Sequence, residues 1–322
     1  MGFIRRRIIG TIITFFIVVN LVFLIPRLAP GNYADVFASG TRLPAEAVKV
    51  VTARLGLDQP IYVQYVDYLK GIFTNWPPYF GISYEFPSQS VTTLIDNRIL
   101  WTLLLIGSTF ILAFLIGYVF AAISSLRRGG KFELGSMFSS ILLWATPGFW
   151  LGMILIWVFA VTLHWFPVSG NISFSNSSSW AFAYSAFVHA VLPVCTLTAI
   201  LFGQTYFLLR GASQSVLRSD FVLAAEARGL KSQTLSFKYI MRNSMLPVVS
   251  LLGYSIAALI SSVVLVESVF SYPGIGDLIV DGIMTRDYPV LEGTFFYVSL
   301  VVLIGGLIGD FLVLRLDPRL RK

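Results

Sequence analysis

Apolar residues come in blocks along this chain, each about 20 residues long, the length that carries an α-helix across a hydrocarbon core. Six blocks stand out: Ile8 to Ala29, Leu100 to Ser124, Met137 to Leu163, Ala186 to Leu209, Met245 to Val266 and Gly293 to Leu314. Pro147 inside the third predicts a kink, because proline removes a backbone donor and crowds the preceding turn. Pro193 lies inside the fourth. Gly148-Phe149-Trp150-Leu151-Gly152, and the pair Gly305 and Gly309, set small residues one turn apart, a spacing that favours close helix packing. The first block follows Arg5-Arg6-Arg7. A basic start before an apolar middle also describes a signal peptide. This apolar run is longer than a signal's and more spans follow, so it reads as an uncleaved first span. Asn20 within it reads as a packing or helix–helix hydrogen-bonding residue rather than a substrate ligand.

The segments between the blocks differ from one another. Pro30 to Arg98 carries turns, charges of both signs and two amphipathic patches. Leu43 to Leu57 predicts one helix. Ile61 to Phe73 predicts another, with Tyr62, Tyr65, Tyr68 and Leu69 at helical spacing. Asp58 is expected to cap it and Pro60 to fit its first turn. This is a small subdomain, too small for an independent enzyme. His164 to Tyr184 reads as a polar, uncharged loop, and its Asn171-Ile172-Ser173 and Asn176-Ser177-Ser178 fit the glycosylation acceptor pattern. Between Glu267 and Glu292 the pattern gives a turn at Tyr272-Pro273-Gly274 and an amphipathic piece too polar to span. Its acids, Glu267, Asp277, Asp281, Asp287 and Glu292, leave two readings open: an external gate or docking patch, or a solvated outer face.

The longest polar run between apolar blocks is Asp220 to Pro247, DFVLAAEARGLKSQTLSFKYIMRNSMLP. Arg210, Arg218, Arg228, Lys231, Lys238 and Arg242 lie in or just before it, against Asp220 and Glu226. Gly229 interrupts a run that favours helix, which predicts a helix, a turn at Gly229, and a second helix. Phe221, Leu223 to Ala225 and Leu230 give it a small apolar face. Such a helix can slot into a groove on a partner, although a solvated basic loop is the common case in membrane proteins.

Composition agrees with the blocks. Of 322 residues, 56% are hydrophobic and 12% charged, with mean hydropathy +0.80, against roughly a quarter charged in soluble domains. The net charge of +7 takes its meaning from placement. With six spans and the N-terminus inside, 16 of the 23 basic residues fall on the inner side with only 5 of the 16 acidic ones. That is the positive-inside bias, so the charge signals topology and not nucleic acid. The single Cys195 excludes an intrachain disulfide or a cysteine metal cluster. His164 and His189 are far apart and suggest no metal site. Gly129-Gly130-Lys131-Phe132 fails as a phosphate loop, lacking both the spacing and the Ser or Thr after Lys.

The polar run, taken with the rest of the chain, resembles the permease subunits of ABC importers. Their general loop pattern is Glu-Ala-Ala, three residues, Gly, then a later Leu-Pro. Ala224, Ala225 and Gly229 match; Leu223 replaces the Glu, and Leu246-Pro247 comes late. That departure is similar to the dipeptide/oligopeptide/nickel branch, where DYVRTARAKGL and RNALLPV are typical and this chain reads DFVLAAEARGL and RNSMLPV. RRRIIGTIITFFIVVNLVFLIPRLAPG, LGLDQPIYVQYVDYLKGIF, TPGFWLGMILIWVFA, WFPVSG, VVLVESVFSYPGIGDLIVDGIMTRDYPV and LDPRLR follow the same branch in order. The resemblance covers essentially the whole chain.

The resemblance implies an all-α membrane protein of the type I ABC importer permease fold, B-type, with six transmembrane helices and both termini cytoplasmic. Its parts would be 1–29 (N-terminus and first span), 30–98 (external helical subdomain), 99–315 (core with the coupling loop, 210–245) and 316–322 (tail). Asp220, Phe221, Ala224, Ala225, Arg228, Gly229, Leu230 and Lys231 would couple to an ATPase, with Ala224, Ala225 and Gly229 letting the helix sit deep in its groove. Glu267, Asp277, Asp281 and Asp287 would be gate or docking residues. Implied partners are a C-type permease, two ATPase subunits, an extracytoplasmic substrate-binding protein and membrane lipid, with no nucleic acid. This chain would bind no cofactor, ATP and Mg being held by the ATPases. The cargo implied is di- or oligopeptides, with oligosaccharides of the archaeal or thermophile type or nickel as alternatives. Two other classes compete. An intramembrane enzyme needs ionisable groups that meet within the bilayer, and the spans offer only Asn20, His189 and Asp310, with no pair. A channel would need no ATPase.

Overall fold

In the computed structural model the described residues are 2–28, 45–54, 56–86, 89–127, 129–172, 179–250 and 252–316. Among them all regular structure is helical, apart from one isolated bridge between Ile82 and Ser90. The helices are α1 (Gly2–Leu28), α2 (Ala45–Arg54), α3 (Ile61–Thr74), α4 (Val91–Leu126), α5 (Lys131–Ala145), α6 (Gly148–Leu155), α7 (Ser179–Val216), α8 (Asp220–Ala227), α9 (Ser232–Thr234), α10 (Met241–Ser250), α11 (Leu252–Val269), α12 (Ile275–Thr285) and α13 (Tyr288–Leu316). Two π-helical stretches, Ile156–Thr162 and Leu235–Ile240, extend α6 and α9.

Among the described residues four helices are long and apolar enough to cross a membrane: Arg5–Leu28, Val91–Leu126, Ser179–Val216 and Tyr288–Arg315. They answer to the first, second, fourth and sixth predicted blocks. The third block is not one kinked helix. It is a pair, Lys131–Ala145 and Gly148–Thr162, bent by 103°. Both Thr146 (ψ 128°) and Pro147 (ψ 130°) are extended. The residue before a proline is driven out of the helical region, and here Pro147 follows it, so the helix stops and restarts. The fifth block holds a shorter apolar helix, Ser255–Val269.

Smaller expectations also shift. Asp58 does not cap α3; Pro60 stands at the N-cap position and no side chain caps that end. α7 begins at Ser179, so Trp180 to Tyr184 is helical rather than loop. Ser173 and the triplet at 176–178 lie outside the described residues.

The chain divides into two compact units, 103–272 with 304–322, and 2–102 with 273–303. In the first, the core unit, α5 packs along α7. A Cβ on Gly203 would meet the Ser140 carbonyl oxygen at 2.4 Å, and one on Gly117 would meet Thr205 at 2.9 Å. Small residues let these backbones approach where side-chain bulk would hold them apart. The Gly148 to Gly152 motif does the same: Cβ atoms there would meet Ile200 at 2.8 Å and Phe270 at 3.0 Å. In the second unit α1 packs on α3, and Asn20 makes the expected interhelix bond, accepting from Tyr65 Oη at 2.6 Å.

Candidate functional site

The predicted helix–turn–helix is present. Asp220 opens α8, where a carboxylate in the first turn complements the exposed backbone N–H groups. Gly229 closes it with φ +75°. Its N–H donates to the Glu226 carbonyl at 2.9 Å, and the Leu230 N–H reaches back to the Ala225 carbonyl at 3.4 Å. These two bonds make a Schellman end, which needs a left-handed residue at this point and so selects glycine. The chain then passes through Lys231 into α9.

Burial divides the predicted coupling residues into two sets. Val222 and Ala225 point inward and join Leu217, Leu235 and Ile240 in one buried cluster, with Leu230 packed against it. Phe221, Leu223, Ala224, Arg228, Gly229 and Lys231 are exposed. The expected small face of Ala224 and Ala225 is therefore split. Ala225 is only 4% exposed and belongs to the chain's own core; the outward apolar residues are Phe221, Leu223 and Ala224. At 100° per residue, 224 and 225 fall on different sides of a helix whose buried stripe is set by 222 and 225.

The platform under α8 is polar and well tied. The hydroxyls of Ser125 and Ser236 meet at 2.7 Å, and Ser236 Oγ donates to the Ala122 carbonyl at 2.8 Å. Tyr118 Oη donates to the Phe237 carbonyl at 2.8 Å. Glu133 accepts from Arg210 Nη2 at 2.7 Å and from the Gly129 N–H at 2.7 Å. This pair joins α5, α7 and the loop after α4. The sequence offers one signal for Glu133: it stands alone among Arg127, Arg128 and Lys131. A cavity of about 320 Å³ lies at the break between α5 and α6, lined by Trp144, Thr146, Pro147, Ile200, Gln204 and Ser262.

The acidic residues do not make a solvated outer face. Glu267, Asp287 and Glu292 are buried, Asp277 is half-buried and Asp281 is exposed. Asp287 accepts from Ser83 Oγ at 2.6 Å and from the N–H groups of Tyr84 (2.8 Å), Glu85 (3.1 Å) and Val290 (3.3 Å). The last of these caps α13. Burial raises the Asp287 carboxyl above its ordinary range, and those four bonds hold it down. Glu292 pairs with Arg27, whose guanidinium also donates to Gln64 Oε1 at 3.1 Å and lies 3.7 Å over the Phe23 ring. Arg27 and Glu292, residues of the first and last long helices, form an ionisable pair that the sequence pattern did not reveal.

Asp277 pairs with Arg98 at 3.4 Å. Its carboxyl is raised to about 6, first by burial and then by Asp281, with Arg98 pulling the other way. The folded chain therefore holds this proton more tightly than the unfolded one, whose carboxyl titrates near 4. The charged form begins to cost stability as pH rises through about 4, and the full cost is reached above about 6. Asp277→Asn removes it. The apparent Tm of this variant is expected to rise relative to wild type between about pH 4 and pH 6 and to hold a constant offset above that, as read by thermal unfolding in detergent. A pH-independent offset across that window would contradict the raised carboxyl.

The whole chain matches two family models end to end. One describes a "Binding-protein-dependent transport system inner membrane component" and covers residues 92–322. The other is the N-terminal part of the same kind of membrane component and covers residues 1–106. The chain belongs to this family of transport-system inner membrane components. It is 32% identical over 341 residues to the di/tripeptide transport system permease protein DppB of Pseudomonas aeruginosa, covering 100% of this chain and 99% of that one. It is 33% identical over 320 residues to the oligopeptide transport system permease protein AppB of Bacillus subtilis, covering 99% of both. It is 32% identical over 321 residues to the glutathione transport system permease protein GsiC of Escherichia coli, covering 100% and 99%. Membership makes the chain a multi-pass membrane component of a transporter rather than an enzyme in its own right.

Proposed function

We propose that this chain is one permease subunit of an ATP-driven importer and forms half of the path for di- and oligopeptides delivered by an external binding protein. The observation that carries this reading is α8. It is a short helix with an exposed apolar and basic face, closed by Gly229 and braced from beneath, in a chain that aligns over its full length with permeases named for peptides. That naming puts peptides ahead of oligosaccharides or nickel. The paired helices α5 and α6 count as one span, and α10 with α11 as another, giving six spans with both termini cytoplasmic. Residues 30–98 form the external subdomain, 99–315 the core and 316–322 the tail.

In the proposed cycle two ATPase subunits hold ATP and Mg and dock on α8 through Phe221, Leu223, Ala224, Arg228 and Lys231. Ala225 and Leu230 transmit the pull by packing α8 on its own core. Closure of the ATPases rocks this chain and a C-type permease between inward- and outward-open states, a rigid-body alternation. The external parts and Asp281 receive the binding protein. The half-buried Asp277 and buried Glu267 and Asp287 serve the outer gate as fixed internal ties.

The reading is tested by purifying the chain from its native host in mild detergent. A second permease, ATPase subunits and a binding protein are expected to come with it. A chain that emerges alone, or as a homo-oligomer, would overturn the assignment and reopen the channel reading.

A further inference from the structure

Helix α3 sits where a helix in open water would not. Contacts step along α1 from Arg27 to Phe16 while they step along α3 from Gln64 to Phe73. Arg27 Nε donates to Gln64 at 3.1 Å, Tyr65 Oη to Asn20 at 2.6 Å and Tyr68 Oη to the Val19 carbonyl at 3.0 Å, and the Phe73 ring stacks on Phe16 at 6.2 Å. The two helices are antiparallel. Phe16 lies roughly 18 Å along α1 from Leu28, at 1.5 Å per residue, and α1 is long and apolar enough to span. The segment after α3 packs on a second spanning helix. Phe80 packs on Phe296 at 5.2 Å, as does Phe15 at 5.7 Å. Phe296 lies roughly 12 Å along α13 from Tyr288.

The surface of α3 has three stripes. Tyr65, Tyr68 and Ile72 face protein. Tyr62, Val66 and Phe73 form an exposed apolar stripe, which the stacked Phe73 and Phe16 join to the exposed apolar face of α1. Trp76, 93% exposed, extends it. About 100° round the helix lie Asp67 and Lys70, both exposed and paired at 3.6 Å.

The turn beyond α3 is also fitted to lipid. Irregular backbone at membrane depth must have its polar groups paired within the protein. Tyr79 N–H donates to the Gly71 carbonyl at 2.9 Å, and Thr92 Oγ1 donates to the Pro78 carbonyl at 3.0 Å. A Cβ on Gly71 would lie 2.2 Å from the Tyr79 carbonyl oxygen, so the glycine permits this fold-back.

We propose that α3 and the turn to Phe80 form a re-entrant hairpin in the outer leaflet of the membrane. Tyr62, Val66, Phe73 and Trp76 lie against lipid acyl chains, and the exposed Asp67 and Lys70 stripe faces water. The inference rests on α1 and α13 being spans. It places this part of the external segment beside lipid rather than beneath a docked protein.

The test uses the assembled transporter in liposomes, in a Cys195→Ser background, with single nitroxide labels at Tyr62→Cys, Val66→Cys, Phe73→Cys, Asp67→Cys and Lys70→Cys. Ile17→Cys and Leu24→Cys on α1 serve as lipid controls. Collision with oxygen is compared with collision with a water-soluble nickel chelate. The oxygen-to-nickel ratio at 62, 66 and 73 is expected to equal that of the α1 controls and to exceed that at 67 and 70 several-fold. Equal nickel access at all five α3 positions, or loss of both collisions at 62, 66 and 73 beneath a protein partner, overturns the hairpin and leaves α1 as a span. Nickel access at Ile17 and Leu24 as well would bring down the span reading and the hairpin with it.

Discussion

Gly229→Glu is expected to reduce peptide uptake by about tenfold or more while leaving the chain in the membrane and its partner permease bound. Two costs separate cleanly at this position. The left-handed φ of +75° penalises any residue with a Cβ by about 1 kcal/mol, too little to unfold the chain. Apart from its own chain neighbours, no described atom lies within 4 Å of a Cβ built there. A larger loss with the chain still folded and assembled would point to something outside the chain that the glutamate strikes. The new carboxylate also lands between the exposed cations Arg228 and Lys231 and would weaken their pairing with acids on an ATPase. Gly229→Ala carries the backbone penalty without the bulk or charge and is expected to keep most of the uptake. Uptake and co-purification measured on both variants decide the matter. Normal uptake by Gly229→Glu sinks the coupling assignment, and equal loss in both variants would trace the defect to backbone strain instead.

The second large effect is expected at the pair of Arg27 and Glu292, whose side chains are only 13% and 6% exposed. Glu292→Ala leaves the Arg27 guanidinium buried against Phe23 and Tyr288 without its counter-charge. Removing one partner of a buried pair costs about 3–5 kcal/mol, because the remaining charge is left uncompensated. For a chain of this size that is a fall of roughly 10 °C in apparent Tm. Replacing both residues, as Arg27→Met with Glu292→Leu, removes the stranded charge and is expected to recover most of the loss. Thermal unfolding of wild type and the two variants in one detergent gives the answer. A double variant as unstable as Glu292→Ala would mean that the remaining contacts of Arg27, to Gln64 and the Phe23 carbonyl, carry the stability instead.

Much of this was legible because it depends on neighbours in sequence. Runs of apolar residues give spanning helices wherever the chain must satisfy its backbone in lipid. Polarity and one glycine give α8, its left-handed end and the second helix. Asn20, isolated in an apolar helix, had to find a partner on another helix.

The rest needed packing. A membrane helix is apolar on both its lipid and its protein faces, so the pattern does not say which side is which. For that reason the pattern did not say which face of α3 meets protein; its contacts lay Tyr65 and Tyr68 along α1. Ala224 and Ala225 were equivalent as letters, and the cluster around Val222 sent one inward and one outward. The acids between Glu267 and Glu292 stayed open between a gate or docking patch and a solvated face because their partners are remote in sequence: Arg27 for Glu292, Ser83 to Glu85 for Asp287 and Arg98 for Asp277. Pro147 announced a kink, whereas the two halves of the block are bent by 103° as separate helices, α5 and α6. The sequence by itself determined the helices, the membrane and the family resemblance, all of which follow from local pattern. Only the tertiary structure decided which faces are buried and which charges are paired, because those depend on residues brought together from far along the chain.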